Sequence, residues 1–133
     1  MHEHTSALLA LANPRDRYHE LAVRVARAFV GAGGQWVGTT LVLAELHGHL
    51  LYRRGPELAR SLLSRLLEDP AYSWLEVSAE LVADAIAGWL ARFRNERFSL
   101  ADAVSFEAMR RERLDVAFAF DRHFETAGFA LLP

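Results

Sequence analysis

The residues of this chain best placed to do chemistry are three acids: Glu45 in "TTLVLAELHGHL", Asp102 in "FSLADAV" and Asp121 in "VAFAFDRHFE". Carboxylates gathered in one place repel one another and raise one another's pKa values. A hard divalent cation with oxygen ligands removes that conflict, which points to Mg²⁺ or Mn²⁺. Beside a phosphate, such an ion can generate a nucleophile from water, polarise the phosphoryl group and steady the leaving oxygen, the chemistry of metal-dependent nucleases and phosphatases. Each acid also has a plainer reading. Asp121 suits the cap of a short helix over "DRHFE", Ser99-Leu-Ala-Asp102 is a capping box, and Glu45, which lies on or beside the apolar stripe of its helix, could pair with an Arg instead of a metal.

The composition narrows the other options. The chain of 133 residues contains no Cys, so disulfides, thiolate metal sites and thiol nucleophiles are excluded. All 15 basic residues are Arg, which rules out Schiff-base and P-loop lysines, and the formal charge of −2 gives no global attraction to nucleic acid. Any nucleic-acid contact would rest on local Arg groups, for which Arg53, Arg54, Arg110 and Arg111 are candidates. The histidines say less. His47 and His49 face different sides of a helix, His2 and His4 would share a side if extended, and His123 stands close to Asp121. The 52% apolar content is that of an ordinary globular protein, with no apolar run of the roughly 18 residues a membrane span needs. One domain over residues 1–133 and a cytoplasmic location are expected.

The elements that must hold these acids can be read from periodicity. The run Ser6 to Leu11 reads as a helix start after the short segment "MHEH". Residues 16–30 carry apolar positions at helical spacing, stopped by Gly31, Gly33 and Gly34. "QWVGTT" is a brief strand, with Thr40 capping a helix to about Tyr52 and Pro56 opening another through Leu67. "WLEVS" alternates as a strand does. Ser78 or Ala79 then opens a helix to about Arg94, Ser99 starts one through Arg113, and "VAFAF" is an apolar run of strand length before a final short strand in "FALLP". Short apolar strands alternating with helices imply an α/β fold with a parallel sheet, in which ligands sit beyond the carboxyl ends of the strands.

The blocks "HTSALLALANPRDRYHELA", "TTLVLAELHGHLLYRRG" and "FSLADAVSFEAMRRERLDVAFAFDRHFETAGF" resemble, in order and spacing, the PIN domain, and most closely the VapC-type toxin nucleases of bacterial toxin–antitoxin pairs. The last block is the most specific; the middle from Pro56 to Arg97 carries little. The resemblance implies a three-layer α/β/α sandwich around a short parallel sheet and an endoribonuclease dependent on Mg²⁺ or Mn²⁺. It also implies a homodimer and a small cognate antitoxin protein. Carried over position by position, it sets the family's acids on Glu45, Asp102 and Asp121. In an active enzyme these would hold a metal-activated water for phosphodiester hydrolysis.

One family position departs. Members usually begin with a few apolar residues and then Asp-Thr-Ser or Asp-Ser-Ser, the Asp ending the central strand and holding the metal. Here that Asp is His4 and the residues before it are Met-His-Glu. A neutral imidazole could still ligate, favouring Mn²⁺ or a later metal, with one negative charge fewer at the site. Thr5 or Ser6 remains available to bond a metal-bound water or cap a helix. "MHEH" therefore fits an active nuclease with a modified and weakened site, a PIN-fold module that binds an antitoxin or RNA without cutting, or a start that differs from the natural gene's. The first of these is favoured. A small phosphatase or other α/β hydrolase lacks support, since neither a G-x-S-x-G elbow nor a D-x-D motif is present.

Overall fold

The computed structural model describes residues 5–9, 28, 31–119 and 122–131. Five strands form one parallel sheet: β1 (Thr5–Leu9), β2 (Gly34–Thr39), β3 (Tyr72–Leu75), β4 (Val116–Phe118) and β5 (Ala130–Leu131), in the order β3-β2-β1-β4-β5. The helices are α1 (Thr40–Arg54), α2 (Pro56–Glu68), α3 (Ala79–Ala85), α4 (Leu100–Glu112) and α5 (His123–Thr126). The parallel α/β architecture is the one expected. The helix read over residues 16–30 lies outside the described residues apart from Ala28 and the first stop glycine, Gly31.

Four local expectations are corrected. The central strand is Thr5–Leu9, where the sequence suggests a helix start at Ser6. A strand with partners on both sides needs apolar residues, which "MHEH" lacks and "ALL" supplies, and sheet pairing overrides local helix preference. Helix α1 is capped by Thr39, not Thr40: the Thr39 hydroxyl accepts the Val42 N–H at 3.3 Å. Strand β3 is Tyr72–Leu75, beginning two and ending three residues earlier than expected, because its register is set by β2, with Gly38 facing Trp74. A Cβ on Gly38 would stand 2.4 Å from the Trp74 ring, so glycine is what lets that indole lie against the strand.

The fourth correction concerns the helix expected from residue 79 to about 94. It is α-helical only to Ala85, then forms a π turn over Ile86–Leu90 and ends there. The wider turn brings Trp89 into the core, where its Nε1 donates to Glu107 on α4 at 3.1 Å.

Helix α4 is the centre of the molecule. Every residue from Ala101 to Met109 is buried, so no face of it is left to water, and its polar side chains must find partners inside. Around it pack Trp89, Phe93, Phe98, Phe124 and Phe129, with Phe106 meeting Phe98 and Phe124 edge-on at ring separations of 4.9 and 4.8 Å. No helix among the described residues is long and apolar enough to cross a membrane.

Candidate metal site

In a parallel sheet the helix after a strand starts at the carboxyl edge, and the helix before a strand ends at the amino edge. Thr39 closes β2 and caps α1, so Glu45 lies on the second turn of a helix that starts at the carboxyl edge. Helix α4 precedes β4 and runs the opposite way to it, which puts its first turn, with Asp102, at the same edge. Helix α5 follows β4 within a few residues and delivers His123 there. Three separate crossovers thus converge on one end of the sheet.

Asp102 is only 8% exposed. The capping box read in the sequence is present: the Ser99 hydroxyl accepts the Asp102 N–H and Asp102 Oδ2 accepts the Ser99 N–H, both at 3.0 Å. The same Oδ2 lies 2.9 Å from His123 Nδ1. An ionised carboxylate can only accept, so this contact requires the proton on Nδ1. Two donors therefore fix one oxygen of Asp102, while Oδ1 has no hydrogen-bond donor among the described residues.

Glu45 keeps contact with solvent, yet its pKa is raised, first by partial burial of the carboxyl and then by the negative charge of Asp102. No cationic side chain among the described residues pairs with it. The pairing with an Arg offered by the sequence is thus not seen there, and the charge of Asp102 acts on Glu45 as a repulsion. Oxygen donors in that relation suit a hard divalent cation. Among the described residues no three His, Asp or Glu groups close around one point. Asp121 and His4 both lie outside the described residues, as do the side chains of Thr5 and Ser6, whose backbones belong to β1.

Arg110 and Arg111 are not brought to these acids. They sit on the last turn of α4, eight and nine residues beyond Asp102, which is about 12–14 Å along a helix axis. Their guanidiniums hold Glu107. Arg110 donates at 3.1 and 2.6 Å, Arg111 at 3.0 Å, and Arg111 reaches across to Asp84 on α3 at 2.5 Å. With Trp89 as a fourth donor, Glu107 is 4% exposed and its pKa is pulled down to about 2, chiefly by the Arg110 hydrogen bonds. Arg53 and Arg54 lie in the last turn of α1, three turns from its carboxyl-edge start.

Sequence reasoning missed two features that the fold reveals. One is the buried Glu107 knot, whose only sequence signal is an acid three and four residues before paired arginines. The other is the segment "ARFRNERF", residues 91–98, which leads directly into the Ser99 cap and carries Arg92, Arg94 and Arg97.

Comparison with known proteins agrees with this architecture. The profile described as "PIN domain" matches residues 4–130. The 23S rRNA-specific endonuclease VapC20 of Mycobacterium tuberculosis is 44% identical over 41 residues, 31% of this chain and 31% of that protein; the match thus spans under a third of the curated relative. The crystal structure of the same VapC20, described as a sarcin-ricin loop cleaving toxin, superposes with a TM-score of 0.79 at 27% identity, covering 95% of this chain and 97% of that one. The described fold, its parallel strand order and the span of the profile match together place this chain in the PIN domain family.

Proposed function

We propose that this chain is a metal-dependent endoribonuclease of the VapC toxin type. The observation that carries the reading is the meeting of Glu45 and Asp102 at the carboxyl edge of the sheet, two acids that repel each other with no Arg between them among the described residues. Asp121 completes the proposed set with Glu45 and Asp102. A bound Mg²⁺ or Mn²⁺ would supply charge neutralisation and Lewis acidity at the scissile phosphate. The chain's own residues do the positioning. Ser99 N–H and His123 hold one Asp102 oxygen and leave the other without a donor among the described residues, and Glu45 would add a second carboxylate from α1. Ribosomal RNA is the substrate class suggested by VapC20. A protein antitoxin and a second copy of the chain are partners of the same reading.

Labelled RNA, both single-stranded and hairpin, incubated with Mg²⁺, Mn²⁺ or EDTA tests it. Cleavage should require the metal and fall at least a hundredfold in Asp102→Asn. Parent protein that leaves every RNA intact in both metals, or an Asp102→Asn variant that cuts as well as the parent, overturns the proposal.

A further inference from the structure

We infer that the segment of residues 91–98 is a phosphate-binding rim that grips the RNA backbone beside the acid site. This rests on the nuclease reading and extends it to how the substrate is held. A site built from acids repels a polyanion, so a nuclease of this kind needs compensating positive charge close by. The composition does not provide it globally, with a formal charge of −2. Nor do Arg60, Arg110, Arg111 and Arg122, each of which is bound to a carboxylate.

Residues 91–98 differ. Arg92, Arg94 and Arg97 are exposed, and none of the three has an acidic partner among the described residues; Glu96 is the only acid in the segment. The Arg92 guanidinium is laid over the rings of Trp89 and Phe93 at 5.4 and 5.0 Å, which fixes its direction while leaving its donors for a ligand. The segment is tied to the acid site at its far end. Phe98 packs edge-on against the His123 ring at 5.5 Å, His123 bonds Asp102, and Ser99, the next residue, caps the helix that bears Asp102. The rim and the acids therefore belong to one rigid corner. The ligand is single-stranded RNA, recognised by its phosphates; a planar guanidinium suits that contact better than a point charge.

The test measures binding separately from cutting. A labelled single-stranded RNA is titrated with the full chain in EDTA at several salt concentrations, using the parent, Arg94→Gln/Arg97→Gln, and Arg60→Gln/Arg65→Gln on α2 as a control of equal charge. Two lost phosphate contacts should flatten the slope of log affinity against log salt by about 1.4 and weaken binding about 20-fold near 0.1 M salt, because each single-strand contact contributes roughly 0.7 to the slope. The α2 control should stay within twofold of the parent. Equal losses in the two double variants, no loss in either, or a parent without salt-dependent RNA binding overturns the rim. Cleavage with Mn²⁺ keeps the two proposals apart. A parent that binds through the rim without cutting sinks the nuclease reading alone, and a loop variant that cuts with unchanged KM sinks the rim alone.

Discussion

Replacing Glu107 by Gln should destabilise the protein by about 1.5–2 kcal/mol at pH 7, with most of that loss disappearing in acid. Glu107 has a 6% exposed side chain and accepts from Trp89, Arg110 and Arg111, which together hold its carboxyl at about 2 rather than the ordinary 4.5. Each tenfold change in proton affinity is worth about 1.4 kcal/mol, so the whole shift sets a ceiling of about 3 kcal/mol. Because the Arg110 side chain is 64% exposed, water screens the largest contribution, and roughly half the ceiling is the reasonable expectation. Glutamine keeps an oxygen for the Trp89 indole and removes only the charge, so packing should change little. A carboxyl whose folded pKa is depressed contributes its full stability above the unfolded value and loses it as pH falls towards the folded one. The parent-to-variant difference in urea unfolding should therefore be complete above about pH 5.5 and shrink steadily from there towards pH 2. A difference that is the same at pH 7 and pH 3.5, or below about 0.5 kcal/mol throughout, would mean that the charge at Glu107 does not hold α4 to its neighbours.

Glu45→Gln should raise the melting temperature in EDTA at pH 7, because a raised carboxyl pKa means the folded state disfavours the ionised form and loses stability as pH rises through it. Mn²⁺ at about 10 mM should raise the melting temperature of the parent and do so less in this variant; an equal Mn²⁺ response in the two would remove Glu45 from the site. Gly38→Ala should cost about 1–3 kcal/mol in thermal or urea unfolding, since its methyl group would meet the Trp74 ring at 2.4 Å. Loss below 0.5 kcal/mol would show that the indole moves freely. His4→Asp restores the acid that the PIN resemblance expects at that position, and cleavage of RNA with Mg²⁺ should rise at least tenfold over the parent; cleavage within twofold of the parent would remove residue 4 from the metal site.

What the sequence made legible follows a physical division. Elements whose signal is local came through: the capping box Ser99-x-x-Asp102, Pro56 at the head of α2, the apolar run that becomes β4 and the glycine-bounded β2 were all readable because the residues that decide them are neighbours in the chain. Elements decided at long range did not. The position of β3 depends on a tryptophan finding a glycine 36 residues earlier, and the end of α3 depends on an indole finding a carboxylate 18 residues later. No window of periodicity contains both partners.

The same division explains the arginines. Helical spacing places Arg110 and Arg111 one turn beyond Glu107, and an acid followed by basic residues three and four positions on is ordinarily a solvated pair of little consequence. Burial of α4 on every face changes that. Once Glu107 is inside, its charge must be answered, and the two arginines and Trp89 are committed to it. They are thereby removed from the pool that could meet RNA at the opposite end of the helix. Among the described residues, the segment between the π turn and the Ser99 cap offers exposed arginines without acidic partners next to the end of α4 that bears Asp102. The burial that hides one acid at the end of α4 thus narrows which residues can serve the other at its beginning.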